Sequence, residues 1–295
     1  MYLETFKLPI NQEEKIIQSC ESRHKYIDNI YPCGIMSENL FSEINFAGVT
    51  ILYGGNGSGK STVLNLIAEK LRLNRVSPYN SSDMFNAYVV ACKYKMAYDD
   101  EGFEQRVPNG SRIITSDIFD YMLTVRTNNE EIREKEAMAD DKWPDLKFSD
   151  TIKLKGMEDY EALRLQLLAK RKNISRRGFI RKTAGKEVKL NSNGETAYEY
   201  FDTKLKNDTL YCLDEPENSL SPKMQIELVK LLETLSHYCG CQFIIATHSP
   251  FILALQGARI YDLDETPVDI KNWWELENTR TYYEFFKKNV KYFER

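Results

Sequence analysis

Residues 51–62 read Ile-Leu-Tyr-Gly-Gly-Asn-Gly-Ser-Gly-Lys-Ser-Thr, with the spacing Gly-x-x-x-x-Gly-Lys-Ser held by Gly54, Gly59, Lys60 and Ser61. No other stretch narrows the fold as far. The apolar run 48–53 before it favours a strand, and Val63, Leu64, Ile67, Ala68 and Leu71 after it recur at helical spacing. Strand, glycine turn and helix in that order make a P-loop. Glycines let the backbone curl until its N–H groups face phosphate oxygens, and the following helix presents its positive end to the same anion. Gly54, Asn56, Gly57, Ser58, Gly59, Lys60, Ser61 and Thr62 are therefore expected to cradle the phosphates of a nucleotide, ATP. Lys60 would reach the β- and γ-phosphates, and Ser61 would ligate Mg²⁺.

A second apolar run, residues 209–213, ends in Asp214-Glu215-Pro216, as a buried parallel strand delivering two acids at its C-terminal end would. Asp214 is expected to hold Mg²⁺, and Glu215, pointing elsewhere, to polarise an attacking water as general base. Ser221-Pro222 then opens a helix whose apolar stripe is Met224, Leu228, Leu231, Leu232 and Leu235, with Gly240 placed to stop it. Residues 242–246 make another buried strand, after which Thr247-His248-Ser249 follow. In a doubly wound sheet the C-terminal strand ends face the ligand crevice, so the P-loop, Asp214, Glu215 and His248 should converge there, with His248 placing the γ-phosphate or the water.

The expected fold is therefore α/β: a P-loop NTPase with a mainly parallel central sheet, an N-terminal β-rich edge and an inserted helical lobe. At 295 residues the chain suits one such domain, with the lobe at about residues 80–190 and an aromatic-rich tail at 272–295. Residues 129–141 are read as an acidic, solvated run, and 157–172 as a clear helix. A net charge of −4 argues against a globally basic nucleic-acid binder. The six cysteines are scattered and only three histidines exist, so no Cys/His set has zinc spacing. With no leader-like start and no apolar run near twenty residues, a cytoplasmic protein with reduced thiols and no membrane contact is expected.

Three stretches admit two readings each. Tyr31, before Pro32, either packs or stacks on the adenine. The basic stretch 170–189 is either a solvated helix end or a contact for nucleic acid or an acidic partner, although Phe179 is its only aromatic. Trp273, Trp274, Tyr282, Tyr283, Phe285, Phe286, Tyr292 and Phe293 in the tail are expected mostly to pack, with a protein-docking surface as the alternative.

Together these motifs resemble the ABC-type ATPases, and the SMC-like and RecF-like branch more than transporter subunits. Residues 54–62 match the Walker A, 210–215 the Walker B, Ser219-Leu220-Ser221 the D-loop, and residues 246–249 the switch histidine. Ser192-Asn193-Gly194-Glu195 resembles the Ser-x-Gly-Glu signature of SMC-like members and stands where this family keeps it. The resemblance covers residues 35–75 and 190–265, and between them the Q-loop glutamine is not identifiable. Gln105 sits in a Gly- and Pro-flanked segment, whereas Ser116-Asp117 fits the Q-loop's place.

The resemblance implies a homodimer closed head to tail on two ATP molecules. Ser192 and Gly194 of one copy would complete the site of the other, and hydrolysis would release the clamp. The layout also resembles small stand-alone bacterial ATPases, some beside nuclease effectors in phage-defence operons. That resemblance implies regulation of a protein partner, with a nuclease as the candidate, in a DNA-linked or antiviral process. A transporter motor subunit and an ATP-locked, non-hydrolysing scaffold are the alternatives.

Overall fold

A computed structural model describes residues 1–22, 29–115, 117–152, 156, 159–185, 193–218 and 220–294. The chain forms two compact units, one made of Met1–Ile118 with Ala197–Arg295, the other of Phe119–Thr196.

Among the described residues the first unit is built on nine strands: β1 (Leu3–Lys7), β2 (Glu43–Asn45), β3 (Val49–Tyr53), β4 (Lys93–Met96), β5 (Arg112–Ile114), β6 (Leu210–Asp214), β7 (Gln242–Ala246), β8 (Arg259–Asp262) and β9 (Asp269–Lys271). Six form the central sheet in the order β5-β6-β7-β3-β8-β9. β5 to β8 run parallel to their neighbours, and only β9 is antiparallel. β3 and β7 are buried at every residue, the pattern of a strand covered on both faces. Each Leu or Ile fully withdrawn from water there contributes about 1.5–3 kcal/mol.

β2, β1 and β4 make a separate antiparallel sheet, the expected N-terminal β-rich edge. Gln242 ties it to the central sheet. Its fully buried side chain accepts the N–H groups of Tyr2 and Leu3 at 2.8 Å each and donates to the carbonyl of Leu3 at 2.8 Å. A buried amide satisfied this fully fixes where one sheet meets the other.

The second unit is helical. It holds most of the helix Asp117–Phe148, then Asp159–Lys170 and Arg176–Ala184, around a small core of Ala139, Trp143, Ala169 and Phe179. Gln166, fully buried, accepts the Ile152 N–H and donates to Ser149 Oγ and Asp150 O, fastening the turn between the first two of these helices.

Three expectations change. Residues 83–114, read as the start of the lobe, belong to the first unit and supply β4 and β5. The acidic run 129–141 is the middle of a 32-residue helix. Its charged positions suit a helix whose inner stripe is narrow, with Ala139 and Trp143 facing in. The tail aromatics touch one another, as Phe286 does Phe285 and Phe293, but are not buried in the unit: their exposure runs from 36% at Trp273 to 68% at Tyr292. They lie on the helix Glu277–Lys288 and its flanks, where only the first turn meets the rest of the unit.

Candidate functional site

Register aligns the strand ends. In the pairing of β3, β6, β7 and β8, Leu52 and Asp214 both stand opposite Ala246, and Tyr53 stands opposite Asp262. The residues that follow each strand, Gly54, Glu215, Thr247-His248 and Asp264, therefore emerge along one edge.

The glycine loop runs from β3 into the helix Lys60–Leu71, which is buried along nearly its whole length. Gly54, Gly57 and Gly59 have φ of 156°, 87° and 93°. At Gly59 a Cβ would lie 2.2 Å from Met36 Cε, so both the turn and the close packing require glycine. Lys60, 4% exposed, folds its ammonium back to donate to the carbonyls of Gly54 at 2.6 Å and Gly55 at 2.7 Å. Ser58 Oγ is buried in the loop and is hydrogen-bonded to nothing among the described residues. Gly55, Asn56 and Gly57 are exposed.

Across from the loop, Ser61 Oγ donates to Asp214 Oδ1 at 3.0 Å. Burial pushes the Asp214 carboxyl up to about 6, and the neighbouring Glu215 charge adds to the rise, while Ser61 and Lys60 pull against it. Glu215 turns away from Asp214. It adopts a φ of 47°, its N–H donates to Ala246 O at 2.8 Å, and its Oε2 accepts from Asn218 Nδ2 at 3.0 Å. Its Oε1 lies 3.8 Å from His248 Nδ1, near enough for charge interaction but too long for a hydrogen bond. Loop, acids and histidine are thus brought to one place.

Thr62 is buried and its Oγ1 accepts from the Tyr31 hydroxyl at 3.1 Å. Tyr31 stacks on Phe85, ring centroids 6.0 Å apart at 14°, so this ring packs rather than standing free for a base. Gln105 is not brought to the site, since its N–H pairs with Ala97 O on the flank of β4. Ser116, Ser192 and Ser219 lie outside the described residues, and Gly194 falls in the first turn of the helix Asn193–Lys204. In the basic stretch Arg171, Lys172, Arg176, Arg177, Arg181 and Lys182 are exposed. Arg176 pairs with Asp140 at 2.6 Å and Lys170 donates to Ser149 O at 2.6 Å. Lys186 and Lys189 are outside the described residues.

Sequence reasoning missed three residues here. Glu217, 7% exposed, accepts on Oε1 from Thr247 Oγ1 at 2.6 Å, His248 N at 3.1 Å and Ser249 N at 3.2 Å. One carboxylate thus gathers the whole turn after β7. Asp264, just past β8, accepts the Gly55 N–H on both oxygens at 2.9 and 2.8 Å, stapling the front of the glycine loop. Asn278 donates its side chain to His248 O at 2.7 Å. An acid at a strand end was a usable signal for Asp264; nothing local marks the other two.

Residues 187–253 match the family model described as AAA ATPase domain. Among solved structures, the chain is similar to the dimeric ATP-binding cassette MJ0796 in a post-hydrolysis state bound to ADP and Pi. That match has 16% identity, covers 78% of this chain and 88% of that one, and has a TM-score of 0.35. It is similar also to cbiO1 of an ABC transporter complex from Clostridium perfringens (19% identity, 85% and 88% covered, TM-score 0.38). A third is the SMC head domain from Thermotoga maritima (13% identity, 92% and 99% covered, TM-score 0.38). No curated protein sequence matches the chain. No helix among the described residues is long and apolar enough to cross a membrane.

Proposed function

We propose that this chain, a P-loop ATPase of the ABC- and SMC-like type, binds ATP at residues 54–62 and hydrolyses it with Glu215 as general base. One observation carries this reading: the Ser61 hydroxyl and the Asp214 carboxylate meet at 3.0 Å, beside a lysine folded into a glycine cradle. The residues fit the ligand they imply. Among the described residues Lys60 is bonded only to neutral carbonyls, which a phosphate would outbid, and the buried Ser58 hydroxyl lacks a partner.

A hydroxyl and a carboxylate are the hard oxygen donors Mg²⁺ takes, so Ser61 and Asp214 would hold it. Bound there, Mg²⁺ supplies charge neutralisation at the β- and γ-phosphates. Lys60 and the loop N–H groups orient the phosphates. Glu215 takes a proton from water as the water oxygen bonds to the γ-phosphorus. The bond to the β–γ bridging oxygen breaks, and ADP leaves with that electron pair. His248, beside Glu215, faces the same side.

The site reads as half of a pair. Its rim at Gly55, Asn56, Gly57 and Ser61 is exposed, which supports closure by a second copy whose Ser192 and Gly194 reach the γ-phosphate. Dimer closing and opening would then be the output, passed to a protein effector, a nuclease in a DNA-linked or defence setting on the family resemblance. The exposed arginines of the basic stretch are the corresponding candidate for nucleic-acid contact.

Phosphate release by the wild type and by Glu215→Gln, each with ATP and Mg²⁺, tests the chemistry. A loss of about 100-fold or more with ATP binding retained is expected. Equal turnover in both would overturn the role of Glu215. ATP bound without turnover in either would leave the scaffold reading.

A further inference from the structure

His248 sits in a turn, outside any strand or helix, and side chains take both polar groups of its peptide unit. Glu217 Oε1 accepts its N–H at 3.1 Å from one side, and Asn278 Nδ2 donates to its carbonyl at 2.7 Å from the other. Asn278 is fixed in turn, because its own N–H donates to the Tyr53 hydroxyl at 3.1 Å, at the end of the strand that feeds the glycine loop. Asn278 and His248 both line a cleft of about 420 Å³ that also takes in Gly54, Asn56 and Asp264.

Asn278 is the second residue of the helix Glu277–Lys288. Leu276, fully buried, and Thr279, 8% exposed, anchor that first turn, whereas every residue from Arg280 to Lys288 is exposed. The helix is thus fastened at one end only, and the hydrogen bond to His248 is part of that fastening, beside the buried Leu276 and the bond to Tyr53. Tilting the helix moves the carboxamide, and the carboxamide holds the peptide that carries the imidazole.

We infer that Asn278 is a positioning residue for His248, through which the C-terminal helix and the switch histidine move together. This rests on the reading of His248 as the residue facing the γ-phosphate. A carboxamide N–H₂ is needed for the clasp. Aspartate, the same shape, presents only acceptor oxygens to the carbonyl and breaks it, while the backbone N–H to Tyr53 survives either change.

Full-length Asn278→Ala and Asn278→Asp are the test. Both should lower kcat about tenfold while the Kd for ATP moves less than twofold. A residue that merely packs would tolerate the isosteric change, so wild-type kcat in Asn278→Asp would overturn the inference. Glu215→Gln, assayed alongside, separates the two levels: if it hydrolyses ATP like the wild type, the hydrolytic reading fails instead. Independently of turnover, the chain has only three histidines, and the His248 ring resonances can be assigned with His248→Gln. In Asn278→Ala they should shift and broaden while those of His237 stay in place. Unchanged His248 resonances would overturn the inference even in a protein that does not turn over.

Discussion

Asp214, the proposed Mg²⁺ ligand, shows what burial does to a single carboxyl. It ends a strand of wholly buried neighbours, and its carboxyl is raised to about 6 from the ordinary 3.8, chiefly by burial. The folded state therefore holds its proton more tightly than the unfolded chain does, so the stability this carboxyl contributes is fully present below pH 4 and is lost as pH rises towards 6. Asp214→Asn removes that loss and keeps an acceptor for Ser61. Without nucleotide or divalent cations, it should be more stable than the wild type at pH 7–8 by about 1–3 kcal/mol. The advantage should fade towards pH 4, as followed by denaturant unfolding across pH. The different duties of Asp214 and Glu215 were legible in sequence because successive residues at a strand end point to opposite sides. Glu217 and Asn278 were not, since their partners lie 31 and 30 positions away and only the fold brings them close; Asp264, 209 positions from its partner, was marked only as an acid past a strand end.

Among the elements, the parallel strands β3, β6 and β7 were readable because strands covered on both faces must be continuously apolar. β1, β4 and the helix Gln12–Ser22 were not, for the two strands are only five and four residues long, β4 buries only Met96, and the helix is mostly exposed. The tail misled in the other direction: aromatic content suggested packing, yet the helix Glu277–Lys288 is held by its first turn alone. The turn after β7 depends on Glu217 in place of regular pairing. Glu217→Ala would strand the Thr247 hydroxyl and the His248 N–H and leave the Ser249 N–H to Thr247 Oγ1 alone, for an expected loss of about 2–4 kcal/mol in a thermal or denaturant melt. Glu217→Gln keeps an acceptor at Oε1 and should lose about 1 kcal/mol. An equal loss for both would mean that charge, rather than the acceptor, holds the turn.

For the whole molecule, the sequence motifs and the folded edge agree on where a nucleotide would sit, and they leave that edge open. Exposed Ser61 and the exposed glycines face outwards from the first unit, and the residues proposed to close over them, Ser192 and Gly194, would come from a second copy. The proposed signature at 192–195 rests on resemblance alone, because a four-residue pattern before a helix has no local physics to separate it from a turn. Whether two half-sites make one whole is the central question, and sedimentation of Glu215→Gln answers it most directly. With ATP and Mg²⁺ the variant should sediment as a dimer, at about twice the 34.4 kDa of one chain, and return to the monomer when ATP is replaced by ADP. A monomer in saturating ATP and Mg²⁺, with nucleotide bound, would contradict the paired site.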